Sequence, residues 1–147
     1  MTSKDSQSAK FIDLHGHHTE LTKLNKSILG IYSYSPGINT PPSNQSYFSA
    51  GVHPWKLTGY VESFKEVEGL GRKDDCLLIG EAGLDRSIAQ DFTIQEEVFR
   101  QHIDLANKLN KPLVIHCVKS LSDIFRLHKE YQGHTPWILH DFNAGVT

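Results

Sequence analysis

Five residues of metal-ligating type stand at separated points of this chain: His15, His17, Glu81, His116 and His140. The first two lie in the stretch Phe-Ile-Asp-Leu-His-Gly-His-His at 11–18. Its apolar start reads as a strand, where residues two apart point the same way, so His15 and His17 can aim at one point past the strand end. Gly16 between them lets the backbone crowd close to a bound ion. Neutral imidazole is the commonest protein ligand for transition metals, although a lone His-x-His pair also occurs without metal. Glu81, His116 and His140 each sit at the end of a further predicted strand. Four imidazoles and one carboxylate suit Zn²⁺, Mn²⁺, Co²⁺ or Fe²⁺, and a carboxylate can bridge two ions about 3.5–4 Å apart.

Other residues near these points admit two readings. Glu81 is a ligand or a buried acid paired with Arg86. Asp13 orients a ligand or is purely structural. Asp85, in a glycine-containing turn, is a ligand, a substrate contact or a turn former. His53, before Pro54-Trp55, lacks a nearby acid in its loop, so a substrate or phosphate contact fits better than a ligand; it could also simply pack on Trp55. Trp55 reads as a core plug rather than a stacking platform. Lys119 is a contact for an anionic substrate or an exposed lysine.

The elements that must position these residues follow from the apolar pattern. Strands are expected at 11–15, 28–34, 47–52, 76–79, 113–115 and 136–139, rich in β-formers and without polar alternation, as in a parallel sheet covered on both faces. Pro36, Gly37, Pro41, Pro42 and Asn44 make 35–46 a loop, so the second strand has almost no following helix. Val61, Phe64, Val67 and Leu70 mark one side of a short helix closed by Gly69 or Gly71. Thr93 and Glu96 suggest a capping box for a second helix, with Val98, Phe99, Ile103, Ala106 and Leu109 at helical spacing before Asn110-Lys111-Pro112. A third helix starts at Ser120, shows Ile124, Leu127 and Tyr131 on one side, and ends near Gly133. Strand–helix alternation with functional residues at successive strand ends is the arrangement of a (β/α) barrel. Such barrels typically need about 250 residues and eight strands, and roughly six strands are present here.

The 147 residues suit one domain, 11–147, behind a polar tail at 1–10. A net charge of −2 gives no broad basic face, so attraction to nucleic acid would have to come from something local such as bound cations. The two cysteines, Cys76 and Cys117, lie in apolar runs and fit a reducing, cytoplasmic setting, with a tuning role open for Cys117 beside His116. No run is long enough for a membrane span, and no obligate protein partner is evident. Among nine histidines, His18 adjoins the first pair, while His102, His128 and His134 read as solvated surface residues.

The combination of Phe-Ile-Asp-Leu-His-Gly-His (11–17), Ala-Gly-Val-His-Pro-Trp (50–55), Ile-Gly-Glu-Ala-Gly-Leu-Asp (79–85), Lys-Pro-Leu-Val-Ile-His-Cys (111–117) and Trp-Ile-Leu-His-Asp-Phe (137–142) resembles the TatD family of metal-dependent hydrolases, more narrowly its short bacterial members. The resemblance implies a (β/α) TIM-type barrel of the amidohydrolase kind, with two divalent ions (magnesium, zinc or manganese) and nuclease action on DNA or another phosphodiester. It assigns metal binding to His15, His17, Glu81, His116 and His140, with Glu81 bridging. Glu81 and Asp85 would be catalytic, and His53, Asp85 and Lys119 would position the phosphate. An ester or amide hydrolase in the same fold, or an inactive fragment, are the alternatives. The family's last site residue, an aspartate at the eighth strand, has no counterpart before Thr147, so two strands are expected to be missing and their open edges to make 1–147 marginal in solution. Asp141 stands where relatives often have glycine and would perturb the site or replace that acid.

Overall fold

The structure, a computed structural model, describes residues 11–17, 28–44, 46–132 and 134–141; the tail at 1–10, His18 and Gly133 lie outside them. Six strands form one sheet: β1 (Phe11–Gly16), β2 (Ile28–Tyr34), β3 (Phe48–Ala50), β4 (Cys76–Asp85), β5 (Leu113–Val118) and β6 (Trp137–Leu139). They pair in sequence order, each with its neighbour in parallel. The sheet curls into a half-barrel, with α1 (Tyr60–Gly71), α2 (Phe92–Leu109) and α3 (Leu121–Tyr131) between strands. The α/β barrel class expected from the pattern is the class observed.

Alternation along the central strands explains why they are apolar throughout. Ile79, Leu113 and Ile115 join Val67, Phe99, Ile103 and Leu127 of the helices in the main core. Their chain neighbours Leu78 and Val114 face the other way and pack with Ile31. Both faces of the middle of the sheet are therefore buried, which selects a continuous run of β-branched and leucine side chains.

Several local expectations change. β4 does not stop at Ile79 but runs on to Asp85, and β5 runs on to Val118, because their pairing continues through Gly83–His116 and Asp85–Val118. Gly83 permits it: a Cβ there would collide with the carbonyl of His116. Asp85 is thus a strand residue and not part of a turn. After β2 the chain turns without a helix. Asn39 accepts the Ser35 N–H at 2.9 Å and donates to the Ser33 carbonyl at 2.7 Å, and Gly37 takes φ 77°.

The cap of α2 is Asp91, whose carboxylate accepts the Ile94 N–H at 3.1 Å. The helix begins at Phe92, so Thr93 already lies inside its first turn, and Glu96 pairs instead with Arg100 and Arg126 at 2.9 and 2.7 Å. In α1, Val67 is buried whereas Val61, in the first turn, is 52% exposed and off the packed face. His102 is not a surface residue. It is completely buried on α2, donating from Nδ1 to the Val98 carbonyl at 2.7 Å and accepting the Val52 N–H on Nε2 at 2.9 Å. Burial pushes its pKa down to about 4, against the smaller upward pull of the Val98 bond. Its helical spacing with Val98 and Phe99 was the available signal, masked by the residue type. His128 and His134 are exposed.

Candidate metal centre

Glu81 lies inside β4, 4% exposed, with imidazoles converging on it from other strands. Nε2 of His15, from β1, is 3.1 Å from its Oε2. Nδ1 of His116, from β5, and Nε2 of His53, just after β3, are 3.0 and 3.7 Å from its Oε1. His140, after β6, stacks on His15 at 3.8 Å between ring centres, and His17 meets His15 edge-on at 4.7 Å. The chain positions that carry these groups are the carboxyl ends of successive parallel strands, so curling the sheet draws them together. Glu81 is not paired with Arg86, whose guanidinium forks onto Asp123 at 2.9 and 3.0 Å.

Two groups of potential ligand atoms, each within 4.8 Å, share Glu81: His15–Glu81–His140 and His53–Glu81–His116. The tautomers separate their members. His53 Nδ1 accepts the Trp55 N–H at 3.2 Å, so in the neutral ring the proton sits on Nε2, facing Glu81 and the cavity. That leaves His53 as a donor, not a ligand. His116 is held at both nitrogens: Nε2 lies 2.9 Å from Asp85 Oδ2 and Nδ1 3.0 Å from Glu81 Oε1. A neutral ring has one N–H for these two acceptors, so the other nitrogen needs a second proton or a cation between it and its carboxylate. Both ring nitrogens of His15 are buried without a hydrogen-bond partner. These orphaned nitrogens and the paired acceptors fit a cation bound by nitrogen and oxygen.

Electrostatics follow from the same contacts. Burial alone would raise the Glu81 pKa, but the imidazoles of His116, His15 and His53 facing it outweigh that and hold the carboxyl far below the usual range. For His116, burial lowers the pKa and the two carboxylates more than reverse it, so the net shift is upward. His140 shifts down, chiefly through burial and then through His15. Asp85 is 1% exposed and its acceptors are filled: Oδ2 by His116 and the Trp55 indole N–H at 2.9 Å, Oδ1 by the backbone and hydroxyl of Ser87. Gln95, also buried, bonds the Asp85 N–H at 2.8 Å and carbonyl at 3.1 Å. Asp85 therefore reaches the cluster only through His116. Gln95 was invisible in the sequence, since a glutamine on a helix has no diagnostic spacing.

A cavity of about 330 Å³ opens over the cluster, with Glu81, His116, His53, His17, His140 and Trp55 in its wall. Asp141 and Ile38 also line it, and no lysine or arginine is among its described lining residues. Lys119 is exposed at φ 50° and is not part of that wall, which β5 forms with His116, Cys117 and Val118. Asp13 accepts the backbone N–H of His15 at 3.2 Å, which orients the strand end. Trp55, expected as a core plug, is 58% exposed.

Strand, helix and site together define a barrel-type α/β protein with a histidine–carboxylate cluster at its carboxyl rim. The chain belongs to the TatD family: the profile of the TatD-related DNases matches residues 37–147. It is 32% identical over 110 residues to an uncharacterized metal-dependent hydrolase of Buchnera aphidicola subsp. Acyrthosiphon pisum, covering 69% of this chain and 42% of that protein. It is 31% identical over 101 residues to the 3′-5′ ssDNA/RNA exonuclease TatD of Edwardsiella piscicida, covering 65% of this chain and 38% of the relative. The crystal structure of the TatD homolog YjjV from Escherichia coli K12 superposes with TM-score 0.76 at 18% identity, over 93% of this chain and 62% of the other. The matches thus span less than half the length of these curated relatives.

Proposed function

We propose that this chain is a metal-dependent phosphodiesterase acting on nucleic acid. The observation that carries the reading is a single buried carboxylate, Glu81, shared by ring nitrogens from both sides of the half-barrel. His15, His17, Glu81, His116 and His140 would hold the cations, two by the resemblance. Divalent cations such as magnesium, zinc or manganese acidify water toward neutral pH and offset charge gathering on phosphate oxygens. Asp85 keeps the proton on His116 Nε2 and so presents Nδ1. His53 offers its Nε2–H to a non-bridging phosphate oxygen. With no lysine or arginine among the described residues of the cavity wall, phosphate neutralisation falls to the cations.

The test compares bis(p-nitrophenyl) phosphate with p-nitrophenyl acetate, each with magnesium, manganese, zinc or EDTA. Phosphodiester turnover that EDTA abolishes is the expected result. Metal-dependent turnover of the acetate alone would move the assignment to an ester or amide hydrolase. No cation binding by calorimetry, with neither reporter cleaved, would make the chain an inactive fragment.

A further inference from the structure

A fully buried histidine on α2 reaches the turn that carries His53, and no step of the hydrolysis uses it. His102 is 0% exposed, and its Nε2 accepts the N–H of Val52, fifty residues back in the chain, at 2.9 Å. The residue after Val52 is His53, whose Nε2 faces Glu81. Three successive amides fix this turn: Gly51 donates to the Tyr34 carbonyl at 3.2 Å, Val52 to His102, and His53 to Ser35 Oγ at 3.2 Å. Two of these anchors belong to β2 and the residue after it, and the third, the shortest bond, comes from a helix. Gly51 presses against β4: a Cβ there would lie 2.5 Å from Gly80 Cα and 2.6 Å from the Glu81 carbonyl oxygen. The turn therefore has no room to approach Glu81 further, and its anchors decide how far it retreats.

We propose that His102 is a positioning residue for the cluster: by holding the Val52 amide it sets the turn, and so aims the Nε2–H of His53 at Glu81. The use of that N–H on a phosphate oxygen rests on the phosphodiesterase reading; the aim itself does not. The residue type fits the task. Packing alone would select an apolar side chain at this place on α2, as at the buried Phe99, Ile103 and Ala106. Such a side chain would leave the N–H of Val52, itself buried, without an acceptor, which is costly. Imidazole supplies the acceptor, and its tautomer is decided inside the helix. Nδ1 donates at 2.7 Å to the Val98 carbonyl one turn earlier, so the proton stays there and the Nε2 lone pair points at Val52. Phe64 of α1 meets the ring edge-on at 5.0 Å between centres, which stops it from swinging away. Glutamine offers the same pair, an acceptor oxygen and a donor nitrogen, whereas leucine offers neither.

The experiment follows the ring nitrogens of His53 by long-range proton–nitrogen NMR in the full chain with EDTA, the signals being assigned through His53→Gln. In the native chain Nδ1 should read as unprotonated and Nε2 as protonated. His102→Leu is expected to move both toward the averaged values of a ring exchanging tautomers. It should also speed hydrogen exchange of the Val52 and His53 amides at least about tenfold. His102→Gln should keep the native signals and the slow exchange. Ile103→Ala, one residue on in the same helix, costs core packing but removes no hydrogen bond, and should leave the His53 signals in place. Should His102→Leu fail to fold, His102→Met carries the same comparison. Unmoved His53 signals in the apolar variant, equal movement in Ile103→Ala, or no rescue by glutamine would overturn the proposal. With manganese, kcat for bis(p-nitrophenyl) phosphate should fall about tenfold in His102→Leu. Manganese affinity by calorimetry should stay within about threefold, because His53 donates and does not ligate. Loss of both together would make His102 a support of general stability and sink the proposal. Absent turnover in a native chain whose His53 signals are as expected would fail the phosphodiesterase reading alone.

Discussion

The two halves of the histidine–carboxylate cluster are built differently. The β4–β5 wall, carrying Glu81, Asp85 and His116, is buried on both faces and flanked by strands on both sides. The carboxylate of Asp85 is saturated, and Gln95 holds its backbone. The rim strands β1 and β6 each have one strand neighbour among the described residues. On β1, Phe11 and Ile12 are 67% and 59% exposed, and the buried nitrogens of His15 have no hydrogen-bond partner. The lesson concerns preorganisation. The wall orients Glu81 and His116 through packing and hydrogen bonds, while His15 at the rim meets His17 and His140 ring to ring.

The sharpest way to break that contrast is Glu81→Gln, which removes the one member common to both halves. Manganese affinity by calorimetry should fall at least about a hundredfold. A small loss would mean that the halves bind independently of it. Next in size is the pair His116→Ala and His140→Ala, melted in EDTA. Removing His116 strands two buried carboxylates, at a cost of about 3–5 kcal/mol of stability. Removing His140 from the rim should stay within about 0.5 kcal/mol, though it too weakens manganese binding. Equal melting losses would erase the difference between wall and rim.

His102 sharpens the wall from the helix side through pH. Its folded pKa, near 4, lies below the ordinary 6.5. Between those values the unfolded chain binds the extra proton, so stability falls as pH drops, by about 1.4 kcal/mol per unit. His116 shifts the other way, and its contribution is lost only as pH rises above the ordinary histidine value. His140 shares the direction of His102, so the urea series is compared between the native chain and His102→Gln, which should be flatter from pH 6.5 downward. Parallel curves would show that His102 does not titrate as buried. The smallest effect is expected on the exposed edge. Ile12→Lys should leave the melting temperature unchanged and reduce self-association in sedimentation velocity, since a charge on an edge strand blocks pairing.

Residue order alone made the strand series, the absent helix after β2 and the convergence of His15, Glu81, His116 and His140 legible. Those follow from local terms: apolar runs, proline and glycine punctuation, and a period that places ligands at strand ends. Boundaries were less legible. β4 continues to Asp85 because β5 lies alongside it, and no local signal in Gly-Glu-Ala-Gly-Leu-Asp says so. The burial of His102 and the exposure of Trp55 inverted what residue type suggests, since packing partners fifty or thirty residues away decide both.

What the sequence by itself determined is the inventory and its periodicity: which imidazoles and carboxylates exist, and that parallel strands deliver them to one rim. What only the tertiary structure decided is the partner of each ring nitrogen. The Trp55 backbone N–H occupies His53 Nδ1 and turns its Nε2–H toward Glu81, while Asp85 and Glu81 take the two nitrogens of His116. The physical reason is that a ring's tautomer depends on which group occupies its other nitrogen, and that group is set by the curl of the sheet.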